Sequence, residues 1–183
     1  MGKSNRIKRI TRLALLASLA LALSVLESVF TPILPPGAKA GVSNIAVMLA
    51  AAYLSLPSAL ALVLIKALFA LLTRGVLAFF MSLFGGAMSA LTLFLLFRFG
   101  KDRLGLIGIS MAGAFVHNAT QGIVALFVFG KALFGYLPIL LLLSLPAGII
   151  TGALLGVLRP LFEIHFVKRK EKGIKQNEKE LPK

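Results

Sequence analysis

The chain has 183 residues, of which 58% are hydrophobic and only 14% are charged, and its formal net charge is +14. A water-soluble domain of this size needs more polar surface, and the apolar stretches are as long as the roughly 20 residues that cross a bilayer as a helix. Cysteine is absent, which excludes disulfides, thiolate metal sites and cysteine nucleophiles. The composition predicts one all-α integral membrane domain in contact with the lipid bilayer.

The predicted elements are six membrane-spanning helices separated by breakers. Three prolines and a glycine in segment 31–37 forbid helix, Pro57 is placed to open a helix, and Gly75 interrupts the next apolar stretch. A polar loop is expected at 98–103, and Pro160 is expected to end the last span. The predicted spans cover residues 12–30, 41–54, 57–73, 76–97, 105–129 and 136–158.

The positive charge predicts the orientation of the helices. Five basic residues precede or open the first span, three lie at 98–103 and eight lie at or after Arg159, whereas only Lys39 and Lys131 fall in the opposite loops. Because lysine and arginine favour the cytoplasmic side, both termini are expected there, and no nucleic-acid partner is needed to explain the charge. The predicted regions are a basic cytoplasmic N-terminus (1–12), a six-helix domain (13–163) and a basic, disordered cytoplasmic tail (164–183), in the inner (cytoplasmic) membrane.

The N-terminal region has a second interpretation. Its basic residues and the apolar stretch behind them would also fit a cleaved signal peptide. The stretch is long enough to span a membrane, however, and more membrane helix comes after it. We therefore expect that this segment is not cleaved and forms the first helix.

Small residues recur at every fourth position in the first and sixth spans. In lipid such stripes let helices approach closely. Two interpretations stay open, namely packing within the bundle and docking of a partner subunit, for which the first stripe is the better candidate. The stripes are Ala14, Ser18 and Ala22, and Gly148, Gly152 and Gly156.

The few polar residues within the spans are candidate functional residues, because a charge at a helix centre costs about 2.5–3.5 kcal/mol. The predicted topology collects most of them in the outer half of the membrane, as in a pocket open to the outside. Lys66 is expected deeper, near the midplane, and ranks below the others because it could snorkel or pair internally. The predicted substrate-binding residues are Glu27, Lys39, Asn44, Arg74, His117, Asn118 and Gln121.

Three of these residues also have a structural interpretation. Glu27 would pair with Lys39 or Arg74 to neutralise a buried charge, Arg74 could anchor a helix at the interface, and His117 could be a core histidine bonded to a carbonyl. No metal site or cofactor is expected, since carboxylates are scarce and the other histidine, His165, lies on the cytoplasmic side. Paired carboxylates and a glycine-rich phosphate loop are lacking, so no catalysis or ATP hydrolysis is expected.

Four sequence blocks, in order, resemble the Gx transporter family over about residues 13–158. Glu27 stands where that family places a glutamate before a loop, and Arg74 stands at its arginine. Segment 36–45 (PGAKAGVSNI) resembles the loop and helix start, with Ser43 where alanine is commoner. Segments 82–89 (SLFGGAMS) and 113–121 (GAFVHNATQ) resemble the family's S-x-x-GG-x-x-S and GA-x-x-HN-x-x-Q elements.

That family is similar to the S components of energy-coupling factor (ECF) transporters, six-helix proteins that capture small molecules outside the cell. The resemblance implies a transmembrane coupling subunit, driven by cytoplasmic ATPases, that docks on the small-residue stripe of the first helix. The family is also labelled heptaprenyl diphosphate synthase component I. Prenyl elongation needs clustered aspartates to hold magnesium, and Asp102 is the only aspartate here, so no enzyme is expected from this chain alone.

The expected function is therefore capture of a small, anionic metabolite by an S-component-like subunit. Lys39 and Arg74 would hold the anion and Glu27 would tune these cations, while the three amides orient the ligand and His117 makes binding respond to pH near neutrality. One alternative is a non-transporting accessory membrane protein of prenyl-diphosphate, quinone or flavin-linked electron-transfer metabolism. A third possibility is an ion or proton pathway through Lys66 and His117.

Overall fold

A computed structural model describes residues 3–30 and 41–162, and this part of the chain contains helices and no strand. Lys39, the rest of the predicted loop at 31–40 and the predicted tail at 164–183 lie outside these ranges. The helices are α1 (Lys3–Phe30), α2 (Ile45–Tyr53), α3 (Leu56–Arg74), α4 (Val76–Phe99), α5 (Lys101–Phe129) and α6 (Leu137–Phe162), with 3-10 turns at Val42–Asn44 and Gly130–Leu133.

The predicted breakers separate α2, α3 and α4. Pro57 lies in the first turn of α3, where its missing N–H costs the helix nothing. Gly75 has φ 87° and ψ −176° between α3 and α4, a conformation that is readily adopted only by glycine. Both predictions are confirmed.

Two other predicted breaks differ from the structure. The predicted polar loop at 98–103 is mostly helical, with α4 and α5 separated only at Gly100, and the helical backbone is interrupted again at Gly105 (φ 61°), the first residue of the predicted fifth span. Helix α6 continues through Pro160 to Phe162, because the fixed φ of proline is itself helical. Proline removes a hydrogen bond there without turning the chain.

Helix α2 lies at the centre of the bundle. All seven residues from Ile45 to Ala51 are buried, because α1, α3, α4 and α6 surround the helix. A helix that is apolar on every side is typical of such a fully enclosed position. The core residues around it include Leu16, Ala20, Leu62, Leu93, Ile109 and Leu155.

Five helices are long and apolar enough to cross a membrane, which confirms the prediction of an all-α, multi-pass membrane protein. The candidate segments are Arg9–Val29, Leu56–Arg74, Val76–Phe99, Arg103–Phe129 and Leu137–Pro160. Helix α2 has nine residues, or about 14 Å at 1.5 Å per residue, and so is shorter than the roughly 30 Å hydrocarbon core. The count of six spans and the cytoplasmic position of the termini stay predictions.

Helices α1 and α2 run antiparallel and are tied together near both ends of α2. At one end the guanidinium of Arg9 donates to the hydroxyls of Ser55 at 3.2 Å and of Ser58 at 3.3 Å. At the other end Glu27 bonds to residues just before α2. We call the two ends of the bundle the Arg9 end and the Glu27 end.

The two small-residue stripes have different surroundings. A Cβ atom at Gly148 would lie 2.5 Å from the Cα of Met111, and one at Gly152 would lie 2.9 Å from the Cα of Ile107, so α6 packs closely on α5 there. Ala14, Ser18 and Ala22 are all exposed on the outside of α1. Two of the three glycines of the α6 stripe therefore pack within the bundle, whereas Gly156 and the α1 stripe are uncovered.

Candidate functional site

A cavity at the Glu27 end is lined by residues from all six helices or the turns that precede them. The empty space in and around it is ≈ 600 Å³ with open solvent included, whereas the room for the centres of water molecules is only ≈ 30 Å³. Five of the seven predicted binding residues line it, namely Glu27, Asn44, Arg74, His117 and Asn118. The structure thus brings together residues that are up to 91 positions apart in the sequence.

Glu27 fixes the approach of the chain to α2. The residue is only 7% exposed. One carboxylate oxygen accepts the backbone N–H of Gly41 at 2.6 Å and the other accepts the hydroxyl of Ser43 at 2.8 Å. Because hydrogen bonds to a charged acceptor are about twice as strong as neutral ones, this contact joins α1 firmly to the start of α2.

Lys66 lies in the cavity wall, although the sequence ranked it below the other candidates. Its ammonium donates to the side-chain oxygen of Asn44 at 2.6 Å. Lys66 therefore has a hydrogen-bond partner inside the bundle, which is one of the two alternatives expected from the sequence. Lys66 also lines the cavity.

Arg74 occupies the mouth of the cavity. It is the last residue of α3, its side chain is exposed, and Gly75 turns the chain directly after it. Lys66 precedes Arg74 by eight residues, or about 12 Å along α3. Helix α3 thus places one cation at the mouth and a second cation deeper in the wall.

Asn118 and Gln121 of α5 have different roles in the packing. The side-chain amide of Asn118 donates to the backbone oxygen of Leu140 at 3.4 Å, which connects α5 to α6. Gln121 is only 2% exposed, and its amide nitrogen has no hydrogen-bond partner within residues 3–30 and 41–162. Gln121 lies behind the cavity, against α4, and is the predicted binding residue that the described geometry leaves out of the wall.

The S-x-x-GG-x-x-S segment of α4 allows three helices to meet beside the cavity. A Cβ atom at Gly86 would lie 2.6 Å from a methyl carbon of Val63 on α3. One at Gly85 would lie 2.9 Å from the Gln121 side chain and 3.0 Å from the backbone oxygen of His117 on α5. Only glycine at both positions lets α4 fit between α3 and α5 and expose Ser82 to the cavity.

A second, smaller cavity shares part of this wall. Asn44, Lys66, Ser82 and His117 line both spaces. Ser89 lies in the second cavity, and its hydroxyl donates to the backbone oxygen of Gly113 at 2.9 Å. Lys66 therefore stands at the junction between an outer and an inner cavity.

Sequence reasoning missed the serines of the wall. A hydroxyl in a membrane helix can bond to its own backbone, so serine gives a weaker signal than a charge. Ser43 and Ser82 could have been found from their places in the quoted sequence blocks. The missed wall residues are Ser24, Ser28, Ser43 and Ser82.

The chemistry of this wall suits a polar anion. Two cations and one carboxylate line the outer cavity, and the carboxylate already accepts hydrogen bonds from Gly41 and Ser43. Hydroxyl and amide groups supply further neutral partners. Within residues 3–30 and 41–162, no group of three or more His, Asp or Glu side chains could hold a metal ion.

Comparison with known proteins identifies the family. A family model described as "Heptaprenyl diphosphate synthase component I" matches residues 16–158. No curated protein and no solved structure matches the chain. The family's description is that of one component of an assembly, which is consistent with a membrane-embedded subunit that has a partner. The chain belongs to the heptaprenyl diphosphate synthase component I family, as its resemblance to the Gx transporter family predicts.

Proposed function

We propose that this protein is the membrane-embedded, substrate-binding subunit of an ECF-type transporter and captures a small anionic metabolite at the outer face of the membrane. One observation carries the proposal. Two cations, amides and hydroxyls from separate helices converge on one cavity at a single end of the bundle. Burying so many polar groups in a membrane domain costs free energy, which a ligand-binding role explains.

The cavity residues have distinct proposed roles. Arg74 attracts the anion at the mouth, and Lys66 binds it further inside. Asn44, Asn118 and the His117 imidazole orient the ligand by hydrogen bonding. Lys39 adds a third cation, as proposed from the sequence, and Gln121 supports His117 from behind. Glu27 holds the start of α2 in place.

The exposed stripe of α1 is the proposed docking surface for a transmembrane coupling subunit. Ala14, Ser18 and Ala22 have short side chains, so another helix can approach α1 closely along this face. The hydroxyl of Ser18 already donates to the backbone oxygen of Leu15 at 2.9 Å and needs no partner in lipid. Cytoplasmic ATPases bound to the coupling subunit would supply the energy.

Purification from native membranes tests this proposal. The tagged protein is expected to bring down a membrane coupling subunit and ATPases, and proteoliposomes of that complex are expected to take up the bound metabolite only with ATP. The same preparation from a strain that lacks the coupling subunit is the control. ATP-independent uptake, or recovery without any ATPase, would contradict the proposal.

A second candidate function comes from the family's description. The chain would then be an accessory membrane protein of prenyl-diphosphate, quinone or flavin-linked electron-transfer metabolism, without transport. Recovery with a soluble prenyltransferase or with redox proteins, in place of ATPases, would favour this candidate. Loss of prenyl-diphosphate synthesis on deletion of the gene, with uptake unchanged, would support it further.

A further inference from the structure

We propose that the ligand is a compact organic acid without a stacking ring or a prenyl chain, and that its acidic group takes the Lys66 ammonium from Asn44 at the junction of the two cavities. This inference rests on the proposed function in one respect, namely that the cavity at the Glu27 end is the ligand site. It adds the chemical class of the ligand and the residue pair that selects for that class.

The described wall of the outer cavity lacks the groups that recognise large apolar or aromatic ligands. The His117 imidazole is its only ring, and its only aliphatic side chains are those of Ala114 and Ala147. Binding of a prenyl chain gains free energy from contact with apolar side chains, and flat ring systems stack on aromatic ones. This wall favours neither class and favours a small hydrophilic molecule.

The charges of the wall determine where the acidic group of the ligand binds. Positive charge is in excess in the wall, since Lys66 and Arg74 outnumber the single carboxylate of Glu27. Arg74 is exposed at the mouth, where solvent screens it, whereas Lys66 lies deeper, where its attraction for an acid is less screened. The acidic group therefore binds most strongly at the inner position.

The side-chain oxygen of Asn44 is the hydrogen-bond acceptor of Lys66 that an acidic ligand can replace. The Asn44 oxygen lies 2.6 Å from the Lys66 ammonium. A ligand carboxylate or phosphate offers a charged acceptor in place of a neutral one, and such bonds are roughly twice as strong. Because Asn44 and Lys66 line both cavities, the acid would sit at their junction and its remainder would extend into the outer cavity.

The Asn44→Asp substitution separates this role from a structural one. The new carboxylate stays in contact with Lys66, and it competes with the acidic group of the ligand for the ammonium. Weakening of acid binding by at least about tenfold is expected, as for loss of a charged hydrogen bond. If Lys66 only supported the fold, Asp at this position would preserve the pair and leave binding unchanged.

The test uses the full chain in lipid nanodiscs and equilibrium dialysis at millimolar ligand. The probes are succinate for carboxylates, glycerol 3-phosphate for phosphates, geranyl diphosphate for prenyl chains and flavin mononucleotide for ring systems. At least one of the two small acids is expected to bind, and neither of the larger probes is expected to compete with it. Comparison of the two small acids identifies the acidic group that the site prefers.

Variants complete the test. Asn44→Asp and Lys66→Met are expected to lose binding, Lys66→Arg is expected to retain it within about tenfold, and Thr11→Asp, which adds the same charge at the far end of α1, is expected to match the wild type. If Asn44→Asp does not fold, Lys66→Met against Lys66→Arg decides the question. Unchanged binding by a folded Asn44→Asp or Lys66→Met variant, binding of neither small acid, or preferred binding of a larger probe would overturn the inference.

Failure of this inference is distinguishable from failure of the proposed function. Binding of a small acid without recovery of a coupling subunit would leave the ligand class standing and remove the transporter. Recovery of the coupling subunit with a chain that binds geranyl diphosphate or flavin mononucleotide would support the transporter and remove the proposed ligand class.

Discussion

The carboxylate of Glu27 on α1 accepts the hydroxyl hydrogen bond of Ser43 at 2.8 Å, across 16 positions of sequence. Its other oxygen accepts the N–H of Gly41, so one buried side chain holds both the turn before α2 and the mouth of the cavity. Glu27 is thus a positioning residue for the cavity wall.

Loss of the Glu27 charge is expected to destabilise the fold. Glu27→Gln should lower the free energy of unfolding by about 1–3 kcal/mol, since a charged hydrogen bond is worth more than a neutral one. Ser43→Ala should cost less, about 1 kcal/mol, because only one bond is lost. Thr92→Ala is the matched control, since that hydroxyl bonds only to Met88 of its own helix. Reversible unfolding in mixed micelles measures all three, and equal values for Glu27→Gln and Thr92→Ala would contradict this role.

Close packing at Gly86 is expected to tolerate no added methyl group. Gly86→Ala should cost about 1–3 kcal/mol, because its Cβ would lie 2.6 Å from a methyl carbon of Val63. Adding Val63→Ala should recover part of the loss, since the two sites are in direct contact.

Gly156→Ala is the matched control for the packing experiment. Nothing lies within 4 Å of a Cβ at Gly156, so alanine there is expected to be neutral or stabilising by about 0.5–1 kcal/mol, as for alanine replacing glycine in a helix. Equal effects of Gly86→Ala and Gly156→Ala on the unfolding free energy would show that α3 and α4 do not pack as described.

The exposed position of Arg74 predicts an effect on binding rather than on folding. Arg74→Gln is expected to change the unfolding free energy by no more than about 0.5 kcal/mol, as for an exposed side chain. Ligand affinity should fall, and should depend less on salt, because an exposed cation attracts an anion through screened electrostatics. Arg98→Gln, an exposed arginine at the Arg9 end, is the control. Binding isotherms at low and high salt measure the effect, and identical salt dependence for Arg74→Gln and the wild type would contradict it.

The small-residue stripe of α1 predicts a loss of assembly without a loss of fold. Ser18→Leu is expected to abolish co-purification of the coupling subunit, because a longer side chain keeps the partner helix away. Ala153→Leu makes a similar change at an exposed position of α6 and should leave assembly intact. Recovery of the complex at the wild-type level with Ser18→Leu would place the docking surface elsewhere.

Helix boundaries were predictable from the sequence because they depend on local residues. Pro57 and Gly75 act on their own backbone, and their effects are independent of the residues that pack nearby. The continuation of α6 past Pro160 was not predicted, because a proline near the end of a helix can either stop the helix or be accommodated within its last turn. The small size of α2 is apparent from its short apolar run, whereas its central position depends on the packing of four other helices.

The cavity was predictable only in part. Charge in an apolar stretch singled out Glu27, which the structure buries at a large cost in free energy, and Arg74, which is exposed at the end of α3. Placing Lys66 in the cavity wall required knowing that Asn44 packs beside it, which depends on contacts between helices and not on the sequence of α3. Gln121 shares a helix face with His117, four residues away, but one turn along α5 that face meets Gly85 of α4 and no longer the cavity.

The orientation of the cavity is the central claim, because capture from outside requires its mouth to face outward. The chain has no cysteine, so Ser28→Cys at the cavity mouth and Thr11→Cys near the Arg9 end each carry a single thiol. A membrane-impermeant maleimide applied to intact cells is expected to label Ser28→Cys, and to label Thr11→Cys only after permeabilisation. Labelling of Thr11→Cys from outside, with Ser28→Cys reactive only after permeabilisation, would contradict the account.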